Sequence, residues 1–285
     1  MSVLGQTFKK WRLLVHDDGS TDHTVEIVKR LGKMDSRICL VDDKVKCGGA
    51  AGNFMHLLKY SDADHVMFCD QDDLWFDMKI QVMLDAMTKE NVNVPTVVYS
   101  NAYVWKPMEG VKGQATLTFP TGLNSFLFLN SGMQGCVAMF NAAVRHKMLE
   151  WKDEVAMHDH LLHLIGLTLG KVVYLPVSLM LYRNHEKNVT GDTNTRLADL
   201  DRLKRNKKIP VVDCKHYRVI KKFAEAFAKE ISQSDKELLE AYLKLPEKTL
   251  VNKLADVIRF RFKLYDSTAL LIMKIVLRPY INRCK

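Results

Sequence analysis

Short apolar runs alternate with amphipathic stretches through the first hundred residues, and few folds accept that alternation. Leu13-Leu14-Val15, Ile38-Cys39-Leu40-Val41, Val66-Met67-Phe68-Cys69 and Val97-Val98-Tyr99 read as short buried strands. Between them, Thr24 to Lys33 places Val25, Val28 and Leu31 on one helical face, and Gly48 to Tyr60 opens a second helix. Ile80, Met83, Leu84 and Met87 form an i, i+3, i+4, i+7 stripe on a third helix. Strands alternating with helices predict an α/β fold with a mostly parallel mixed sheet. Further on, His158 to Leu169 reads as a helix and Lys171 to Leu175 as a strand closed by Pro176. From Asp199 onward long helices are expected, so the predicted organisation is an α/β domain over 1–198 and a helical region over 199–285.

Acidic groups follow two of the strands, where open α/β sheets bind ligands. Asp70-Gln71-Asp72-Asp73 is the sharper. Three carboxylates within four residues repel one another unless a cation lies between them. Mg²⁺ or Mn²⁺ takes oxygen ligands and shares them with a diphosphate. The plainer alternative is that Asp72 or Asp73 caps the next helix, although capping needs one Asp and not three. Asp17-Asp18-Gly19-Ser20-Thr21-Asp22 has the same placement. Ser20 or Asp22 is expected to cap the following helix. Two further carboxylates remain, able to accept hydrogen bonds from a pyrimidine N–H or a ribose hydroxyl. Gly48-Gly49-Ala50-Ala51-Gly52 lacks the Lys-Ser/Thr of a P-loop and the G-x-G-x-x-G spacing, which leaves close helix packing near a nucleotide.

The net charge of +9 is unevenly placed. Residues 1–201 carry 21 Lys/Arg against 24 Asp/Glu, and residues 202–285 carry 21 against 9. The basic third therefore faces an anionic surface or is simply a solvated face. Basic and apolar residues interleave from Ala255 to Leu277. That pattern suits a helix lying in an anionic membrane interface, with packing onto the first domain as the alternative. Nucleic acid is not expected, because no DNA- or RNA-binding motif accompanies the charge. The most apolar stretch, Ala269 to Leu277, is interrupted by Lys274 and too short to span a bilayer. Met1 to Gln6 runs into a basic stretch without the apolar core of an export signal, and the six scattered cysteines are expected to be reduced thiols in the cytoplasm.

Five segments in order carry a resemblance. His16-Asp17-Asp18-Gly19-Ser20-Thr21-Asp22, Asp70-Gln71-Asp72-Asp73-Leu74-Trp75, Gly135-Cys136, His158-Asp159 and Tyr182-Arg183-Asn184-His185-Glu186-Lys187-Asn188-Val189 resemble the motifs of family 2 glycosyltransferases. The flavour is that of the bacterial branch building rhamnose-containing and other cell-surface polysaccharides, and the likeness covers roughly residues 3 to 192. It implies a GT-A fold, a UDP- or dTDP-sugar donor, Mg²⁺ or Mn²⁺ as cofactor, and inversion at the anomeric carbon. Members of this family open with a strand and a Pro-Thr-Tyr-Asn-like turn. Here Met1 to Phe8 matches the end of the helix that follows, so the first strand and most of the first helix are expected to be missing.

Position by position, the resemblance places Asp17 and Asp18 against the nucleoside. It gives Asp70 to the ribose and the metal, and Asp72 and His185 to the metal. Asp159 becomes the general base that deprotonates the acceptor hydroxyl. The alternative for Asp159 is a helix cap; His185 is alternatively structural. The implied partners are a nucleotide sugar and a glycan or lipid-linked acceptor, met on the inner face of the plasma membrane. Two rival readings are a sugar nucleotidyltransferase and a catalytically impaired paralogue that binds membrane or a partner enzyme.

Overall fold

The computed structural model describes residues 2–129, 133–185 and 209–282. Eight strands order the α/β part. β1 (Leu13–His16) and β2 (Ile38–Val41) pair in parallel as a two-stranded sheet. The larger sheet runs β3 (His65–Met67), β7 (Ala138–Asn141), β5 (Thr96–Lys106), β8 (Lys171–Arg183) and β4 (Leu74–Trp75), with β6 (Gly110–Gln114) paired to β5. Among these, β5 and β8 are parallel and the other ladders antiparallel. The helices are α1 (Thr24–Met34), α2 (Ala50–Leu57), α3 (Lys79–Met87), α4 (Leu123–Phe126), α5 (Ala142–Glu150) and α6 (His158–Leu169).

The strands foreseen from apolar runs all form. β5 is the core of the molecule: Val97, Val98 and Tyr99 are fully buried, as β-branched and aromatic residues between covered faces should be. α6 lies against it, and α3 contributes Met83 and Met87 from its apolar stripe. One boundary differs from expectation. β8 does not stop at Pro176 but continues to Arg183. The β5–β8 register steps from Tyr99↔Tyr174 to Asn101↔Ser178, so an irregularity at 175–177 accommodates the proline, which has no N–H to give to a ladder.

Beyond the described gap, α7 (Cys214–Ala226), α8 (Gln233–Lys244), α9 (Leu250–Arg259) and α10 (Thr268–Leu277) form the helical region. Asp213, Ser232, Thr249 and Ser267 each cap one of them through a side-chain oxygen. These helices are not a detached appendage, because Phe128 rings against Tyr242 and Phe262, and Lys263 donates its N–H to the Asn124 carbonyl at 3.1 Å. The expected boundary at 198/199 and the stretch Glu186-Lys187-Asn188-Val189 lie outside the described residues. Cys39, Cys47, Cys69 and Cys136 are free thiols, whereas Cys214 is disulfide-bonded, which corrects the expectation of reduced cysteines throughout.

Candidate functional site

The acidic tetrad follows β3 and leads into β4, and neither Asp72 nor Asp73 caps a helix, since α3 starts at Lys79 with Met78 as its N-cap. The capping alternative therefore fails for these residues. Asp70, Asp73 and Cys136 place one ligand atom each within 4.8 Å of one another. Burial first, then the charge of Asp72, raises the Asp70 carboxyl above its usual range. Burial first, then Asp70, pushes Asp73 up to about 7, while its Oδ1 accepts the Arg183 N–H at 3.1 Å. Asp73 Oδ2 is buried with no hydrogen-bond partner. Asp72, whose charge raises both, also faces His185, whose Nε2 is 2.8 Å from Asp72 Oδ2 in a half-exposed position.

A buried cation lies beside the carboxylates. Lys79 is fully buried, with Nζ 2.6 Å from the Cys136 carbonyl and 3.9 Å from the Trp75 ring centre. Burial lowers its ammonium to about 8, opposed by the charges of Cys136, Cys69, Asp73 and Asp70. Lys79 was missed in the sequence because it sits next to the apolar stripe of α3 and reads there as a solvated end. The only signal was its position six residues after Asp73, at the first residue of the helix.

Asp159 lies in the first turn of α6, whose N-cap is Met157, so it is not the N-cap residue. Burial raises its carboxyl to about 7, with Asp70 adding to the rise and the His160 and Gly135 backbone amides opposing it. Its Oδ1 is buried without a partner. The 135–137 turn reaches α6 this closely because residue 135 is glycine: a Cβ there would stand 2.6 Å from His158 Nε2. This approach brings Gly135-Cys136 and His158-Asp159 together although they are far apart in the chain. Asp70, Asp73 and Asp159 thus form one electrostatically coupled centre.

Asp17 and Asp18 close the loop after β1. Asp17 Oδ2 accepts the N–H groups of Gly19 and Ser20 at 3.0 and 2.9 Å. Asp18 reaches across to the loop before α2, accepting from the Cys47 N–H and, at 2.7 Å, from the Gly49 N–H. Hydrogen bonding from Ser20 holds Asp17 below the usual carboxylate range, and that from Cys47 does the same for Asp18. Neither Ser20 nor Asp22 is the N-cap of α1, which is His23 and has no side-chain cap; Asp22 instead accepts the Thr24 N–H at 3.0 Å in a local turn just before the helix. Gly52 permits the close packing anticipated for the glycine-rich stretch, since a Cβ there would stand 2.5 Å from the Cys47 carbonyl oxygen.

The donor set suits a hard divalent cation. Carboxylates and an imidazole are ligands for Mg²⁺ or Mn²⁺. Burial first, and then mutual repulsion, raises the Asp70 and Asp73 carboxyls, and Asp73 Oδ2 has no hydrogen-bond partner, so a cation held between them would be favoured.

Fold and site together define an α/β protein with a buried acidic centre beyond the end of β3. The model for "Glycosyl transferase family 2" matches residues 1–149, more than half of the chain, and the protein belongs to that family. It is 27% identical over 243 residues to "dTDP-rhamnosyl transferase RfbG" of Shigella flexneri, across 80% of this chain and 79% of that protein. Over 92 residues it is 40% identical to the Escherichia coli "UDP-Glc:alpha-D-GlcNAc-diphosphoundecaprenol beta-1,3-glucosyltransferase WfgD", covering 32% of this chain and 35% of that one. Among solved structures, S. aureus TarS 1-349 in complex with UDP-GlcNAc superposes with a TM-score of 0.55 at 16% identity, over 91% of this chain and 74% of that one. The mannosyltransferase PcManGT from Pyrobaculum calidifontis, in complex with GDP-Man and Mn²⁺, superposes with a TM-score of 0.51 at 15% identity, over 96% and 80%. The fold is GT-A.

Proposed function

We propose that this family 2 glycosyltransferase moves a hexosyl or rhamnosyl unit from a UDP- or dTDP-sugar to a glycan or lipid-linked acceptor, inverting the anomeric carbon, in cell-surface polysaccharide synthesis. The observation that carries the reading is Asp159, a buried carboxyl with an orphaned oxygen and an affinity for protons poised at about 7, coupled to Asp70. A general base works best when its pKa lies near the working pH. In this mechanism Asp159 accepts the acceptor hydroxyl proton as the acceptor oxygen bonds to the anomeric carbon. The bond from that carbon to the diphosphate oxygen breaks on the opposite face, which gives inversion. Asp17 and Asp18, kept ionised by their loop amides, accept hydrogen bonds from the base and ribose of the donor. Asp72, His185 and Asp70 would hold Mg²⁺ or Mn²⁺, which supplies neutralisation of the departing diphosphate.

The names of RfbG and WfgD motivate the donor and the lipid-linked acceptor proposed here. Among the described residues no helix is long and apolar enough to cross a membrane. On α9, Val251 and Ile258 are exposed, and their seven-residue spacing puts them on one face. Arg259 and Arg261 are close by in the chain. This face suits a peripheral contact with the anionic inner leaflet of the plasma membrane, reached from the cytoplasm.

The test is calorimetry with dTDP and UDP, with and without Mn²⁺, followed by transfer assays and determination of the product's anomeric configuration. Metal-dependent nucleotide binding, weakened by Asp72→Ala, is the expected result. Equal binding without metal would remove the metal role, and a retained configuration would remove the single-displacement role of Asp159. Liposome co-sedimentation checks the membrane contact; binding that ignores anionic lipid and salt would argue for helix packing alone.

A further inference from the structure

A second polar cluster lies outside the acidic centre, where β1, the loop before α2, and α2 meet. His16 ends β1, Asp43 and Cys47 lie in the loop, and His56 is on α2, with Tyr60 just beyond. His16 Nε2 is 3.1 Å from Asp43 Oδ1, and His56 Nε2 is 2.6 Å from Asp43 Oδ2. The Tyr60 hydroxyl donates to the same Asp43 Oδ2. Ligand atoms of His16, Cys47 and His56 all lie within 4.8 Å of one another.

The hydrogen bonds around His16 make this arrangement unusual. Asn53 Nδ2 donates to the His16 carbonyl at 3.1 Å, which fixes the orientation of the amide. Asn53 Oδ1 is then the atom 2.7 Å from His16 Nδ1, so Nδ1 carries the hydrogen and donates it. A neutral His16 therefore turns the lone pair of Nε2 towards a carboxylate oxygen, and two acceptors would face each other. A proton or a metal ion between them resolves the conflict. The nearby Cys47 favours the metal, because an imidazolium has no use for a thiol, whereas a borderline-soft ion takes sulfur and imidazole nitrogen together.

We propose that His16, Cys47 and His56, with Asp43 closing the shell, bind a structural Zn²⁺-class ion separate from the Mg²⁺ or Mn²⁺ of the acidic centre. Tetrahedral Zn²⁺, with bonds of about 2.0–2.3 Å, sets its ligand atoms roughly 3.3–3.8 Å apart, so closure needs movements of about 1 Å. Binding expels the Cys47 thiol proton to solvent. Two neutral imidazoles, one thiolate and one carboxylate then leave the ion and its ligands uncharged overall. The Nδ1–H to Asn53 bond and the Tyr60 hydroxyl on Asp43 are the outer contacts that orient metal ligands elsewhere.

The ion would clip together a region with little core of its own. From residue 2 to residue 57 only Gln6, His16 and Ile38 are buried. Where a hydrophobic core is thin, a metal staple supplies stability that packing does not. The clip would also fix Cys47, whose backbone N–H holds Asp18.

The experiment uses the full chain, stripped with chelator and titrated with Co²⁺, then Zn²⁺. One equivalent of Co²⁺ should give a thiolate-to-metal charge-transfer band, and Zn²⁺ should displace it and raise Tm. Cys47→Ser should abolish the band, and His56→Gln should weaken binding by about tenfold or more. Asp72→Ala and Cys136→Ser should keep the band, separating this site from the acidic centre. A wild-type protein without the band, or a band that survives Cys47→Ser, would overturn the proposal. The readout uses no sugar donor, so it stands or falls apart from the glycosyl-transfer mechanism.

Discussion

In α6, ten of twelve residues are buried, including Asp159 and three histidines, while α1 and α2 bury none of theirs. The two regions meet where the Phe54 ring of α2 lies 4.4 Å from the His158 ring of α6, and they solve the problem of fixed carboxylates in opposite ways. Asp17 and Asp18 are positioned by loop amides near solvent, and those hydrogen bonds keep them ionised. Asp70, Asp73 and Asp159 are positioned by burial, which pushes all three towards the protonated form. Hydrogen-bonded exposed acids suit steady binding of a neutral donor group. Buried acids suit proton transfer and cation capture, because desolvation is what makes a carboxylate basic.

The sharpest way to break this contrast is Asp159→Asn. If burial serves catalysis, transfer should fall by roughly 10²–10⁴-fold. The fold should persist, since an amide costs less to bury than a carboxylate. Near-normal transfer in a steady-state assay would return Asp159 to a purely structural role.

The pH profile tests the same residue from another side. Below about 7, kcat/KM should rise close to tenfold per pH unit as Asp159 ionises, and level off above it. Stability should move the other way. The folded-state carboxyl is raised above its unfolded value, so its contribution is fully present below the unfolded range near 4 and is lost as pH climbs to about 7. Asp159→Asn should therefore melt higher than wild type at pH 8 and gain little at pH 4. An unchanged difference between the two pH values would contradict the assignment.

Lys79→Met addresses the cation under the acids. It leaves the Cys136 carbonyl without its donor, a loss of about 1–3 kcal/mol in chemical denaturation. It should also raise Asp70 and Asp73 further and weaken Mn²⁺-dependent nucleotide binding. A variant as stable as wild type would mean that Lys79 is dispensable to the centre.

The smallest effect concerns amide hydrogen exchange. β1 pairs with β2 alone among the described residues, and the pair has a thin core. Its amides should open with a lower free energy than those of β5 and β7. Zn²⁺ should narrow the difference if the His16–Cys47–His56 clip forms. Equal protection without metal would show that the two regions unfold as one unit.

Much of this was legible in the chain. Apolar runs gave the strands, because a buried strand is a local pattern, and the helical stripe gave α3. The acidic groups at strand ends were readable for the same reason, since each depends on neighbours within a few residues, whereas the expected Ser20 or Asp22 cap of α1 did not form because the helix starts one residue later, behind His23. Asp72 and His185, 2.8 Å apart, were both foreseen as metal residues, although the reading placed Asp70 with them and not with Asp73 and Cys136. The continuation of β8 past Pro176 was not foreseen, because a proline's effect depends on whether its partner strand bulges to accommodate it.

What the sequence determined by itself was the order of elements and the kinds of group offered: acids after strands, glycines where backbones approach, bases in the final third. Which acids hold their protons was decided only in three dimensions. Asp17 and Asp73 are identical as side chains, and their contrast arises from the Ser20 hydroxyl and loop amides around one and desolvation with a neighbouring charge around the other. The same holds for Lys79 and for the meeting of His16, Cys47 and His56. Burial and long-range juxtaposition are properties of the packed molecule, since the electric environment of a group is set by everything folded around it.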